Sequence, residues 1–138
     1  MKKILIGAVA ALTALSTVGA AADAAAAAQP AGVWRNPKNT VHIKVQPCGG
    51  NVCGTVVWAN ARAKEKALKA GTPKLVGKQL FQEFRATGAG SWNGRVFVPD
   101  MGRSFSGSLK AKGPNAMVAS GCLIGRFLCK SQIWTRVG

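Results

Sequence analysis

Four cysteines in two close pairs are the residues of this chain best equipped for chemistry. Cys48 and Cys53 are separated by four residues, Cys122 and Cys129 by six. Such thiols can bond to each other, hold zinc or exchange disulfides. Zinc clusters favour C-x-x-C spacing, which neither pair has, and the same lack argues against thiol–disulfide exchange. Two disulfides are therefore expected, with no metal and no cofactor. Four cysteines allow three connectivities. Each pair lies between two short apolar runs, where a hairpin would bring its sulfurs together, so Cys48–Cys53 and Cys122–Cys129 are favoured. Cross-pairing of the two hairpin tips is the main rival.

The remaining chemistry is sparse. His42 is the single histidine and falls on the strand face opposite Val41, Ile43 and Val45. It could serve as a general base, but an exposed or barrel-lining position is the better reading. A glycosidase-type carboxylate pair would have to combine Glu83 with Asp100, and nothing in the pattern brings them together. Ser91, Ser104, Ser106 and Ser131 lack a G-x-S-x-G elbow, and no phosphate-binding glycine loop is present. No catalytic residue is assigned, and the chain is not expected to be an enzyme.

The elements that position these residues begin after an export signal. Met1-Lys2-Lys3 is a basic start, Ile4 to Leu15 is apolar, and small residues fit an A-x-A cleavage pattern between Gly19 and Ala28. The apolar run is about 12 residues, short of the ~20 that span a membrane. Residues 1–22 are read as a cleaved signal peptide and 23–31 as an alanine-rich flexible segment, leaving one domain over 32–138. The expected location is the periplasm or the exterior, with no transmembrane anchor after processing. Oxidising surroundings there favour disulfides.

Along the domain, period-two alternation recurs. Val41, Ile43 and Val45 share one face, and His42, Lys44 and Gln46 the other. Pro47 to Asn51 is turn chemistry, and Val52 to Trp58 resumes as a strand. Asn60 to Ala70 favours a short exposed helix, capped by Asn60 and ended by Gly71, with almost no apolar face beyond Leu68. Further strands are expected over Leu75–Arg85, Trp92–Val98, Ser104–Lys112, Met117–Leu123 and Leu128–Val137. Turn signals about every 10 residues mark an antiparallel barrel or sandwich. Successive hairpins favour a meander, and closing it hides the edge strands. The fold class is thus all-β: a small antiparallel up-and-down barrel of about eight strands with one short helix.

Four tryptophans and five phenylalanines are many for about 107 residues. In a closed barrel the first and last strands are neighbours, which would set Arg136 over the face of Trp34 as a structural lock. Core packing is the default for the other aromatics. Trp58, Trp92, Phe97 and Phe105 are the candidates for lining a ligand cavity.

The sequence also resembles a known family. Gly32-Val33-Trp34, the run Cys48-Gly49-Gly50-Asn51-Val52-Cys53-Gly54-Thr55-Val56-Val57-Trp58, Leu75-Val76-Gly77, the stretch from Trp92 to Phe105, and the end from Gly121 to Val137 are similar to the bacterial domain family DUF2147. The resemblance implies an exported protein with a lipocalin-like barrel and brings no catalytic residues. Gly32-x-Trp34 with Arg136 resembles the lipocalin pairing of an early Trp with a late Arg. The family usually carries an Asp- and Asn-Pro-containing segment after the first hairpin; here that region is the basic run Ala61–Lys74. Phe97 and Phe105 stand where tyrosines are common.

Composition narrows the partners. Nineteen basic residues against four acidic give a formal charge of +15, which attracts polyanions. A barrel rimmed by Lys and Arg suits an amphiphilic ligand with an acidic head, such as a fatty acid. The alternative is a basic, envelope-associated protein that binds anionic lipid or polysaccharide surfaces without a cavity. The export signal argues against nucleic acid as a physiological partner.

Overall fold

The alternation that marks the first hairpin is what the computed structural model shows. It describes residues 30–124 and 127–138; the stretch read as a signal peptide and most of the alanine-rich segment lie outside the described residues. In β2 (Val41–Cys48), Val41, Ile43 and Val45 are buried while Lys44 and Gln46 are exposed. β1 (Gly32–Arg35) precedes it, and β3 (Asn51–Ala59), β4 (Gln79–Gly88), β5 (Ser91–Val98), β6 (Arg103–Ala111), β7 (Ala116–Ile124) and β8 (Phe127–Arg136) follow. All neighbours pair antiparallel, and β1 pairs with β8 to close the barrel. Full closure leaves no strand edge open to another chain.

An up-and-down order puts connections alternately at two ends. The connections 36–40, 60–78 and 99–102 lie at one end, together with the tip of the β7–β8 hairpin. The other end carries the β2–β3, β4–β5 and β6–β7 turns and both Pro30 and Gly138. Val33 donates its N–H to the Gly138 carbonyl at 3.0 Å, so the two terminal segments run side by side there. Pro30 is buried and accepts a hydrogen bond from Trp34 Nε1 at 2.8 Å. The packed unit thus already includes Pro30 and Ala31, which composition had placed in the flexible segment.

The helix α1 (Ala61–Lys69) follows its sequence signals at both ends. Asn60 Oδ1 accepts from the Ala63 N–H at 2.8 Å, satisfying one of the orphan donors of the first turn. At the other end Gly71, at φ 93°, donates to the Leu68 carbonyl, and Thr72 donates to that of Ala67. This is a Schellman closure, which needs a left-handed residue where glycine costs least. The packing face differs from expectation. Ala67 is fully buried and Ala63 partly so, whereas Leu68 points to solvent. The helix lies close on the barrel through alanine, whose small side chain permits that approach. The strand expected from Leu75 begins only at Gln79. Leu75 to Lys78 form a turn around Gly77, at φ 96°, and Leu75 is buried within it.

One half of the interior is solid. Ile43, Val45, Phe84, Trp92, Leu109 and Met117 are buried in a single cluster toward the terminal end. Phe84 fits because Gly94, which faces Gly107 across β5 and β6, carries no side chain. A Cβ on Gly94 would sit 2.8 Å from Phe84 Cγ, too close for any side chain. At Gly107 a Cβ would run into Val96 Cγ2 and the Ser120 carbonyl before reaching Phe84.

Candidate functional site

The half of the barrel away from the termini is hollow. A cavity of about 500 Å³ occupies it, within the range of small-molecule sites. Its walls come from strand residues of β4 to β8, chiefly Leu80, Phe81, Val96, Phe105, Leu128 and Trp134. Phe81 packs edge-to-face against Trp134 with centroids 5.3 Å apart. The mouth is formed by the loops of that end, including Asn36, Leu75, Pro99 and Met101, and by Leu123 on the β7–β8 hairpin.

The lining is mostly apolar, with Lys130 on the same face of β8 as Leu128 and Trp134. Lys130 borders the cavity from β8, and Asp100 is the sole carboxylate among the lining residues. Arg103 opens β6 two positions before Phe105 and therefore shares its face; its guanidinium lies 5.5 Å from the Phe105 ring centroid. Phe97 borders the cavity and a second, smaller depression outside it, with Lys78 Nζ 4.4 Å from its ring.

Of the four aromatics expected to line a cavity, Phe97 and Phe105 do so and two do not. Trp58 is a correction. Strict alternation from Val56 would turn it inward, but the β2–β3 register shifts by one residue between His42 and Ile43. The extra residue, Val57, reverses parity. Trp58 therefore stands on the outer surface, 43% exposed, with its ring 4.6 Å from that of His42. Trp92 points inward, but at the terminal end of β5, where it fills the packed floor below the cavity.

His42 belongs to that outer patch. Its Nε2 hydrogen-bonds to Asn39 Oδ1 at 2.6 Å. Asp100 is at the cavity mouth while Glu83 sits exposed in a β4 bulge at φ 51°, outside the cavity lining. The cysteines are paired as Cys48–Cys53 and Cys122–Cys129, with cross-pairing eliminated. The two bridges sit at opposite ends of the barrel, the second beside the mouth. Among the described residues, no three His, Cys, Asp or Glu side chains gather into a metal-holding group. No helix among them is long and apolar enough to cross a membrane.

Arg136 and Trp34 meet at the terminal end. The guanidinium carbon is 4.4 Å from the Trp34 ring centroid. Nε donates to the Pro114 carbonyl at 2.8 Å, and Nη1 donates to the carbonyl of Ala31. Gly32, at φ 136°, leaves room for that guanidinium, since any Cβ there would collide with it.

Sequence reading missed Lys130, Leu80 and Leu128 in the cavity lining and Arg103 against the Phe105 ring. Arg103 carried a usable signal, since Arg and Phe two apart at a strand start share a face. Leu80 carried none, because its neighbour Phe81 is buried as well, and alternation cannot place both.

A closed eight-stranded meander, hollow toward one end and locked by Trp and Arg at the other, is a small barrel of lipocalin-like build. The sequence itself matches the family described as "Uncharacterized protein conserved in bacteria (DUF2147)" over residues 32–136, and the chain belongs to that family. Among solved structures it is similar to a protein of the human pathogen Helicobacter pylori that belongs to the lipocalin family. The two superpose with a TM-score of 0.63 at 10% identity, covering 80% of this chain and 84% of the other. At that identity the likeness is one of fold. No curated protein matches the sequence.

Proposed function

We propose that this protein binds and carries a small amphiphile with an apolar body and an acidic head. The observation that supports the reading is the mostly apolar cavity of about 500 Å³ with Lys130 in its lining and Arg103 against the lining residue Phe105. Burial of an acyl chain contributes on the order of 0.8 kcal/mol per methylene, so a cavity of this size favours chains over compact ions. The cations then select among chain-bearing molecules by head group. The lipocalin-like fold is compatible with such a role and does not by itself assign one. Its working place is outside the cytosol: the basic, apolar start fits an export signal, and two disulfides fit an oxidising compartment.

The test is displacement of a fluorescent apolar probe by fatty acids. A fatty acid should displace it, and Lys130→Glu should weaken that acid roughly three- to tenfold by reversing one charge near its head. The matching fatty alcohol should bind both forms alike. Failure of every amphiphile to displace the probe would leave the alternative, a basic envelope protein that uses its surface alone.

A further inference from the structure

The described residues on either side of the β7–β8 turn expose large apolar side chains. Phe127 is 74% exposed, Leu128 65%, Ile124 63% and Leu123 45%. Two exposed apolar pairs, Leu123–Ile124 and Phe127–Leu128, flank Gly125 and Arg126, and such a patch on a lone chain favours association. The Cys122–Cys129 bridge lies at the base of this tip and holds its two strands together. Leu123 and Leu128 also border the cavity, so the apolar surface of the tip is continuous with the cavity wall.

The surroundings say what covers it. The connection 60–78 carries six basic residues against Glu65, and Lys38 adds another at the same end; of the connections at the opposite end, only the β6–β7 turn is charged, through Lys112. A second copy of this chain would bring the same positive end toward it, and polysaccharide offers nothing for four bare apolar side chains. A bilayer containing anionic phospholipid satisfies both features, the apolar tip entering the acyl boundary while the basic rim meets the phosphates.

We propose that the Cys122–Cys129 hairpin tip is a membrane-docking element that seats the cavity mouth on anionic bilayers. Ile124 and Phe127 are its insertion residues. Neither borders the cavity, so docking and ligand binding can be altered separately. A ligand passing between bilayer and barrel then crosses no water.

Sedimentation with vesicles tests this, using the processed full-length protein and lipid of phosphatidylcholine with about one third phosphatidylglycerol. Wild type should bind these vesicles and bind pure phosphatidylcholine far more weakly. Ile124→Ser with Phe127→Ser, which alters no charge, should weaken binding to the anionic vesicles at least tenfold. The double variant should bind the fluorescent cavity probe as wild type does, which also shows that it is folded. Equal vesicle binding by variant and wild type overturns the proposal in favour of charge alone. So does absence of wild-type binding, or a concentration-dependent dimer that the variant abolishes. Loss of probe binding in wild type would instead strike the cavity reading and leave docking standing.

Discussion

Arg136 touches three separate segments at once: the ring of Trp34, the Pro114 carbonyl in the β6–β7 turn, and the Ala31 carbonyl before β1. A guanidinium can do this because it is planar, presents a fork of donors and lies flat on an aromatic face. Lysine has the charge without the fork. Arg136→Ala should therefore destabilise the protein by about 2–3 kcal/mol, read as a drop of roughly 10 °C in Tm. Arg136→Lys should recover only part of that loss. Full recovery by lysine would mean that charge near Trp34 matters and the shape of the group does not. This contact was legible in the sequence, because closure of a meander makes first and last strands neighbours. Trp58 was not legible. A single extra residue, Val57, exchanges inside for outside, and an inserted residue in a strand has no distinctive side chain.

At the scale of elements, each disulfide closes its own hairpin and neither joins distant parts of the chain. Loops this short restrict the unfolded chain modestly, by about 2 kcal/mol each. Cys48→Ser with Cys53→Ser should lower Tm by about 10 °C and leave probe binding unaltered, since that bridge lies away from the mouth. Cys122→Ser with Cys129→Ser should cost similar stability and also weaken vesicle binding, because the tip it holds would fray. Equal vesicle binding in both double variants would separate the bridge from docking. Element positions were largely legible. Alternation and turn residues located β2, β5, β6 and β7 to within a residue or two. The helix ends were readable from Asn60 and Gly71, but its packing face was not. Leu68 is the more apolar residue, yet the tight approach to the barrel selects Ala67.

For the whole molecule, the interior divides into a packed half and a hollow half, and the sequence concealed that division. Phe84 and Phe105 are both buried, inward-directed phenylalanines of alternating strands. Gly94 leaves Phe84 the room to fill its half, while Phe105 borders the cavity. Composition told of charge and count, but which end carries the charge follows from topology. A ligand that occupies the hollow half binds the folded state alone. At 100 times its Kd it should add about 2.7 kcal/mol, or roughly 10 °C in Tm. Heating wild type with and without a fatty acid checks this. An unmoved Tm at saturating acid would mean that the cavity does not take it.

Pro30 and Gly138 emerge together at the pole opposite the opening. A surface, tag or fused domain attached at either point will face away from whatever the barrel admits. An attachment at Gly138 therefore leaves the cavity opening presented to solution. The same proximity suits it to circular permutation, with old ends joined by a short linker and new ones cut in the β4–β5 turn at Ala89.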